Sequence, residues 1–185
     1  MLIRYFDNAA TTKIKEEVLK EMFPYLTEEY GNASSIYKIG RNSKRAIEES
    51  RKRVASLFNC EPSEIYFTSC GSESDNMALK GLAYIQKEKN TGKNHIITSK
   101  IEHPAILESC KALEKQGFEV TYLDVDEEGF INLNTLENAI KESTFLISIM
   151  FANNEIGTIE PIEEISKIAK KHNITFHTDA VQATG

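Results

Sequence analysis

The sequence predicts an α/β fold, a mainly parallel sheet flanked by helices. Short apolar runs at Ile65 to Thr68, His95 to Thr98, Val120 to Leu123, Phe145 to Met150 and Ile174 to His177 alternate with segments of helical periodicity, the pattern of βαβ units. The intervening helices also carry start signals, near Ser72, Pro104, Asn134 and Pro161. In two of them proline stands in the first turn, where no amide donor is needed.

Ahead of the first run, Ile14, Val18, Leu19, Met22 and Phe23 recur at helical spacing within Lys13 to Leu26, one amphipathic helix expected to end near Pro24. Glu29 to Gly40 gathers Gly31, Asn32, Ser34 and Ser35 and reads as a loop. A charged helix from about Ser43 to Phe58 follows. Between the later elements lie a polar turn at Lys87 to Asn94 and an acidic one at Asp124 to Gly129. With no repeat, low-complexity tract or flexible linker, residues 13–185 read as one domain preceded by an N-terminal segment, 1–12. Gly185 comes just after a strand and its loop, so further sheet-forming sequence is expected beyond it.

Composition narrows the function classes. The 185 residues are 41% hydrophobic and 27% charged, ordinary for a soluble globular protein. A net charge of −6 without a Lys/Arg-rich block offers no footprint for nucleic acid or an anionic membrane, leaving a small molecule as the expected ligand. Met1 to Thr12 has early charges at Arg4 and Asp7 and no long apolar run, which reads as neither signal peptide nor membrane span and points to the cytoplasm. Cys60, Cys70 and Cys110 lack CxxC spacing, so no metal or redox pair is expected. Cys60 and Cys110 read as small buried hydrophobes.

Ligands of open α/β sheets collect beyond the carboxyl ends of the strands. After Phe67 the chain reads Thr68-Ser69-Cys70-Gly71-Ser72-Glu73-Ser74 and enters a helix. Free amides there, with Gly71 and the Ser72 hydroxyl, would cradle a phosphate, while Ser72 with Asp75 three residues on, taken alone, fits a simple helix cap better. Neither GxGxxG nor GxxxxGK[ST] is present. His103 follows the second run at the mouth of the next helix, where an imidazole either caps or meets a ligand. Of the other histidines, His95 reads as a strand-edge residue, His172 as a helix-end residue and His177 as a core one. Asn153 and Asn154 follow the fourth run, suited to binding or to making the turn. Asp179 leaves the last strand, a position costly for a carboxylate without a cationic partner, and Gln182 stands three residues on.

Taken together, Asp7-Asn8-Ala9-Ala10-Thr11-Thr12, Gly31-Asn32-Ala33-Ser34-Ser35, Gly71-Ser72-Glu73-Ser74-Asp75-Asn76, Glu102-His103, Asn153-Asn154-Glu155-Ile156-Gly157 and His177-Thr178-Asp179-Ala180-Val181-Gln182 resemble the cysteine desulfurases. These are the NifS and IscS type within class V of the pyridoxal-phosphate aminotransferase fold, and the likeness runs from Tyr5 to Gly185. It implies the large domain of a type I pyridoxal-phosphate enzyme, incomplete here. Gly71 and Ser72 would take the cofactor phosphate and His103 would stack on the ring. Asn154 and Gln182 would reach the ring oxygen and the substrate side, and Asp179 would pair with the protonated ring nitrogen. His103 and Asp179 are thereby the catalytic candidates, and Ala10, Thr11 and Asn154 the substrate-binding ones.

The resemblance further implies L-cysteine as substrate, sulfur passing to an enzyme persulfide and then to an iron-sulfur scaffold or another acceptor, and a homodimer. Departures are Ala33 and Tyr37, where the family usually has proline and histidine, and Cys70-Gly71 in place of a commoner Gly-Ala pair. The family's Schiff-base lysine and sulfur-carrying cysteine would come after Gly185. Another class V enzyme, such as a selenocysteine lyase, or a non-catalytic binding fragment fits the same residues.

Overall fold

Residues 4–184 are described in the computed structural model, and the chain divides into two units, Met1–Phe67 and Thr68–Gly185. Residues 1–3 of the expected N-terminal segment, and Gly185, lie outside the described residues.

The first unit is helical. Helix α1 spans Glu16–Thr27 and continues past Pro24, because the amides of Glu28 and Glu29 still find the Pro24 carbonyl, each at 2.8 Å. Its apolar residues Val18, Leu19, Met22 and Phe23 are exposed among the described residues. Helix α2 spans Lys38–Phe58, starting five residues before the expected Ser43. Two glycines permit the close contact between its first turn and the preceding loop. A Cβ on Gly31 would lie 2.5 Å from the Ile39 carbonyl oxygen, and one on Gly40 would lie 2.5 Å from that of Asn32. The loop holds its shape without a proline at Ala33, through the Asn32 side chain accepting the Ser34 amide at 2.9 Å.

A 3-10 turn at Pro62–Glu64 follows. The expected strand at Ile65 to Thr68 is extended but unpaired among the described residues. An isolated extended segment has no ladder to join, and the Ile65 carbonyl is taken instead by the Arg51 guanidinium.

The second unit holds the sheet. Strands β1 (His95–Ser99), β2 (Glu119–Leu123), β3 (Thr144–Ser148) and β4 (Thr175–His177) are all parallel, in the order β2-β1-β3-β4. Helices α3 (Gly71–Glu88), α4 (Pro104–Glu114), α5 (Leu133–Asn138) and α6 (Ile162–Lys171) cover it. Alternate residues of the two central strands enter two cores. Ile96 and Leu146 pack with Leu79, Ala83, Ile106 and Leu113 of α3 and α4, whereas Ile97 and Ile147 pack with Leu136, Ile165 and Ala169 of α5 and α6. With both faces covered, β1 and β3 are buried throughout, as parallel strands require.

Several boundaries differ from expectation. Asn132 caps α5 through the Thr135 amide, one residue before the helix, and Pro161 is the cap residue of α6, outside its first turn. His95 is no edge residue: it begins a central strand, fully buried, with Thr144 at 2.7 Å and Thr121 at 2.9 Å satisfying its two ring nitrogens. Cys110 is buried in the core, as its pattern implied, while Cys60 is only half-buried.

Strand order positions the site. The chain passes from β1 outward to β2, then crosses to β3 on the other side of β1. The order therefore reverses between β1 and β3, and the loops that follow these two strands diverge to open a crevice.

Candidate active site

Three segments meet the crevice at the carboxyl ends of β1, β3 and β4, together with the N-terminus of α3. After β1 comes His103, the cap residue of α4. Its Nδ1 accepts the Ala105 amide at 3.1 Å, which leaves the ring proton on Nε2, a nitrogen without a protein partner among the described residues. The half-buried side chain thus caps α4 through one nitrogen and keeps the other free of protein partners among the described residues. After β3 the two asparagines divide their tasks. Asn153 makes the turn, accepting the Glu155 amide at 2.8 Å and the Ile156 amide at 3.0 Å, and its own amide reaches the Ile101 carbonyl at 2.9 Å. The Asn154 side chain has no protein hydrogen bond among the described residues. A cavity of about 310 Å³ is lined by His103, Asn153, Asn154 and their neighbours, a size that suits a small cofactor.

After β4, Asp179 accepts the Val181 amide at 3.0 Å through Oδ1, and its carbonyl takes the Phe151 amide at 2.8 Å. Directly beside this turn stands the start of α3, since a Cβ on Gly71 would come within 3.0 Å of Val181 Cγ2. Ser72 does not cap the helix, and Asp75 does not close a box with it. The helix has no side-chain cap among the described residues; the Glu73 carboxylate instead accepts both the Ser69 amide and the Ser69 hydroxyl at 2.6 Å, ahead of the cap residue Cys70. The Ser72 hydroxyl is exposed and, like Gln182, makes no side-chain bond among the described residues. The first-turn amides already favour negative charge: the Glu73 amide, then the Ser69 hydroxyl, holds the Cys70 thiol below its ordinary pKa.

The sequence offered Asp75 only as a cap partner of Ser72, and Glu102 only as the neighbour of His103. Asp75 is buried on the same α3 stripe as Leu79 and Ala83, an acid at a core position of a helical pattern. Burial first, and then the charge of Asp179, raises its pKa to about 6, with His103 opposing. Glu102, at the end of the β1 loop, is raised to about 8, chiefly by burial. His177 donates to or accepts from Ser148 at 2.9 Å and stands 3.7 Å from Asp75. Burial lowers its pKa, so this is a contact of a neutral imidazole and not an ion pair. Among the described residues no Lys or Arg pairs with Asp75, Glu102 or Asp179. Lys100, the lysine at the β1 tip, is engaged by Asp124.

Ala10 and Thr11 occupy an exposed turn of the first unit, where the Ala10 amide bonds to Asp7.

An α/β domain with negative charge unmatched at the strand tips, and anion-seeking amides beside it, is built for a ligand cationic at one end and anionic at the other. A protonated pyridine ring bearing a phosphate has that form, so the residues fit pyridoxal phosphate. Comparison with known proteins agrees: the class-V aminotransferase family model matches residues 4–185, and the chain belongs to that family, which is a family of pyridoxal-phosphate enzymes.

Among curated relatives, a cysteine desulfurase IscS of Clostridium botulinum (strain Kyoto / Type A2) is 58% identical over 98% of this chain and 45% of its own length. That of Methanosarcina thermophila is 59% identical over 98% of this chain and 44% of its own. The chain thus spans a little under half the length of these relatives. A NifS-like protein of known structure superimposes with a TM-score of 0.92 at 45% identity, over 97% of this chain and 49% of that one. SspA in complex with cysteine does so with 0.93 at 43%, over 98% and 51%.

Proposed function

We propose that this chain forms the cofactor floor of a pyridoxal-phosphate-dependent cysteine desulfurase, which removes sulfur from L-cysteine to leave L-alanine and carries it as an enzyme persulfide. The observation that carries the reading is the pair of carboxyls, Asp75 and Asp179, close enough for one to raise the other's pKa and without a Lys or Arg partner. Such a pair is relieved by a cation. When bound, the cofactor supplies an electron sink for the bonds breaking at the substrate α-carbon.

The chain's own residues hold it ready. Asp179 keeps positive charge at the ring nitrogen, and the α3 amides with the Ser72 hydroxyl hold the phosphate. His103 covers one ring face, its position set by its cap bond. Asn154 and Gln182 direct amide groups toward the ring oxygen and the substrate side, and the family resemblance assigns Ala10 and Thr11 to substrate binding. The family resemblance assigns the covalent lysine and the sulfur-carrying cysteine to the half of the longer relatives that these 185 residues do not cover.

The complete protein is a cytoplasmic homodimer on this reading, delivering sulfur to an iron-sulfur scaffold or another acceptor. No helix among the described residues is long and apolar enough to cross a membrane. The test is alanine and sulfide release from L-cysteine by the full-length protein loaded with pyridoxal phosphate. Equal release by an Asp179→Ala variant would remove the basis of the assignment.

A further inference from the structure

The crevice between β1 and β3 is bridged by a carboxyl with no part in the function above. Glu102 is buried, and its Oε1 accepts both the Ser99 hydroxyl at 2.7 Å and the Met150 amide at 2.9 Å. Its Oε2 is sealed from solvent and has no hydrogen-bond partner among the described residues. The titratable groups facing it are Asp179 after β4, Glu160 before α6 and Cys110 of α4, and none of them supplies positive charge.

An ionised carboxylate in this place would have donors on one oxygen only, amid acids. A protonated one puts its hydrogen on Oε2 and leaves Oε1 accepting as observed, and an unpartnered hydroxyl is less costly than an unpartnered charge.

We propose that Glu102 is a positioning residue that acts as a neutral acid, tying the tip of β1 to the chain leaving β3 and so fixing His103 and Asn154 around their shared cavity. His103 follows Glu102 directly, and Asn154 lies four residues beyond Met150. The Asn153 bond to the Ile101 carbonyl is a second tie between the same two loops. Burial, with Asp179 and Glu160 adding to it, holds the acid's pKa near 8. The consequence of this tie for the cofactor rests on the function proposed above, but the protonation of Glu102 does not.

Glu102→Gln reproduces the shape and neutrality of the acid, and Glu102→Ala removes the tie. A folded pKa raised above the ordinary 4.5 means stability fully present below 4.5 and lost as pH rises through about 8. The full-length wild type should therefore lose several degrees of melting temperature relative to Glu102→Gln between pH 6 and pH 9. Difference infrared spectra at pH 7 should show a carboxylic-acid carbonyl band that Glu102→Gln lacks. Glu102→Ala should weaken pyridoxal-phosphate binding about tenfold or more, with Glu102→Gln restoring most of it. A pH-independent gap, absence of the acid band, or a glutamine variant as impaired as the alanine one would overturn the proposal. The first two readouts hold whether or not the protein is a desulfurase.

Discussion

Replacing Asp75 with asparagine separates the electrostatics of the site from its shape. The carboxyl is buried, has no side-chain hydrogen bond among the described residues, and titrates near 6 where an ordinary aspartate titrates at 3.8. At about 1.4 kcal/mol per pH unit, that difference corresponds to about 3 kcal/mol, an upper figure for what ionised Asp75 costs the folded chain at neutral pH. The sign follows from linkage: the contribution of Asp75 is fully present below 3.8 and lost as pH rises through about 6. Asp75→Asn should thus be more stable than the wild type at pH 7.5, by about 1 to 3 kcal/mol, and the advantage should fade toward pH 4. Urea unfolding of both proteins at pH 4.5, 6 and 7.5, without added cofactor, measures it. The same variant should bind pyridoxal phosphate more weakly, having lost one of two charges that favour a ring cation. A stability difference unchanged across these pH values, or a variant less stable at pH 7.5, would show that Asp75 is not a destabilising buried charge.

Other perturbations probe the remaining supports. On the proposed reading Ser72→Ala removes one hydroxyl donor to the charged phosphate, a hydrogen bond worth about 1.5 to 3 kcal/mol, so equilibrium dialysis should show pyridoxal-phosphate affinity falling about tenfold to a hundredfold. Gly40→Ala drives a methyl against the Asn32 carbonyl and the Ser35 backbone, within 2.8 Å. Thermal melts should register about 1 to 3 kcal/mol of destabilisation. His95→Ala leaves a void at a fully buried position and removes a hydrogen-bond partner from the hydroxyls of Thr121 and Thr144, of which Thr144 keeps the Lys141 amide. Denaturant unfolding should show a loss of about 2 to 5 kcal/mol, at the sheet end away from the site.

The alternating apolar runs made the sheet and its flanking helices legible, because β1 and β3 are buried on both faces and so appear as unbroken Ile, Leu, Phe and Thr segments. Ile65 to Thr68 has the same composition, yet a strand also needs a partner, which no local pattern supplies. The strand-tip residues were legible by position, His103, Asn154 and Asp179 each following a strand. Their division of labour was not: the pattern Asn153-Asn154 is silent on which amide closes the turn. Asp75 offered a signal that went unread, an acid in register with Leu79 and Ala83 on an otherwise apolar stripe. Glu102 offered none, because its burial depends on Met150 and Ser99 converging from different strands.

On the proposed function, the acid-lined crevice at the strand tips holds a ring cation against Asp179. Pyridoxal phosphate labelled with nitrogen-15 at the ring position, bound to the full-length protein and observed by NMR, tests it directly. The ring nitrogen should be protonated in the wild type at neutral pH, and unprotonated when Asp179 is replaced by alanine with the phosphate still anchored. A nitrogen equally protonated in both proteins, or unprotonated in the wild type, would contradict it.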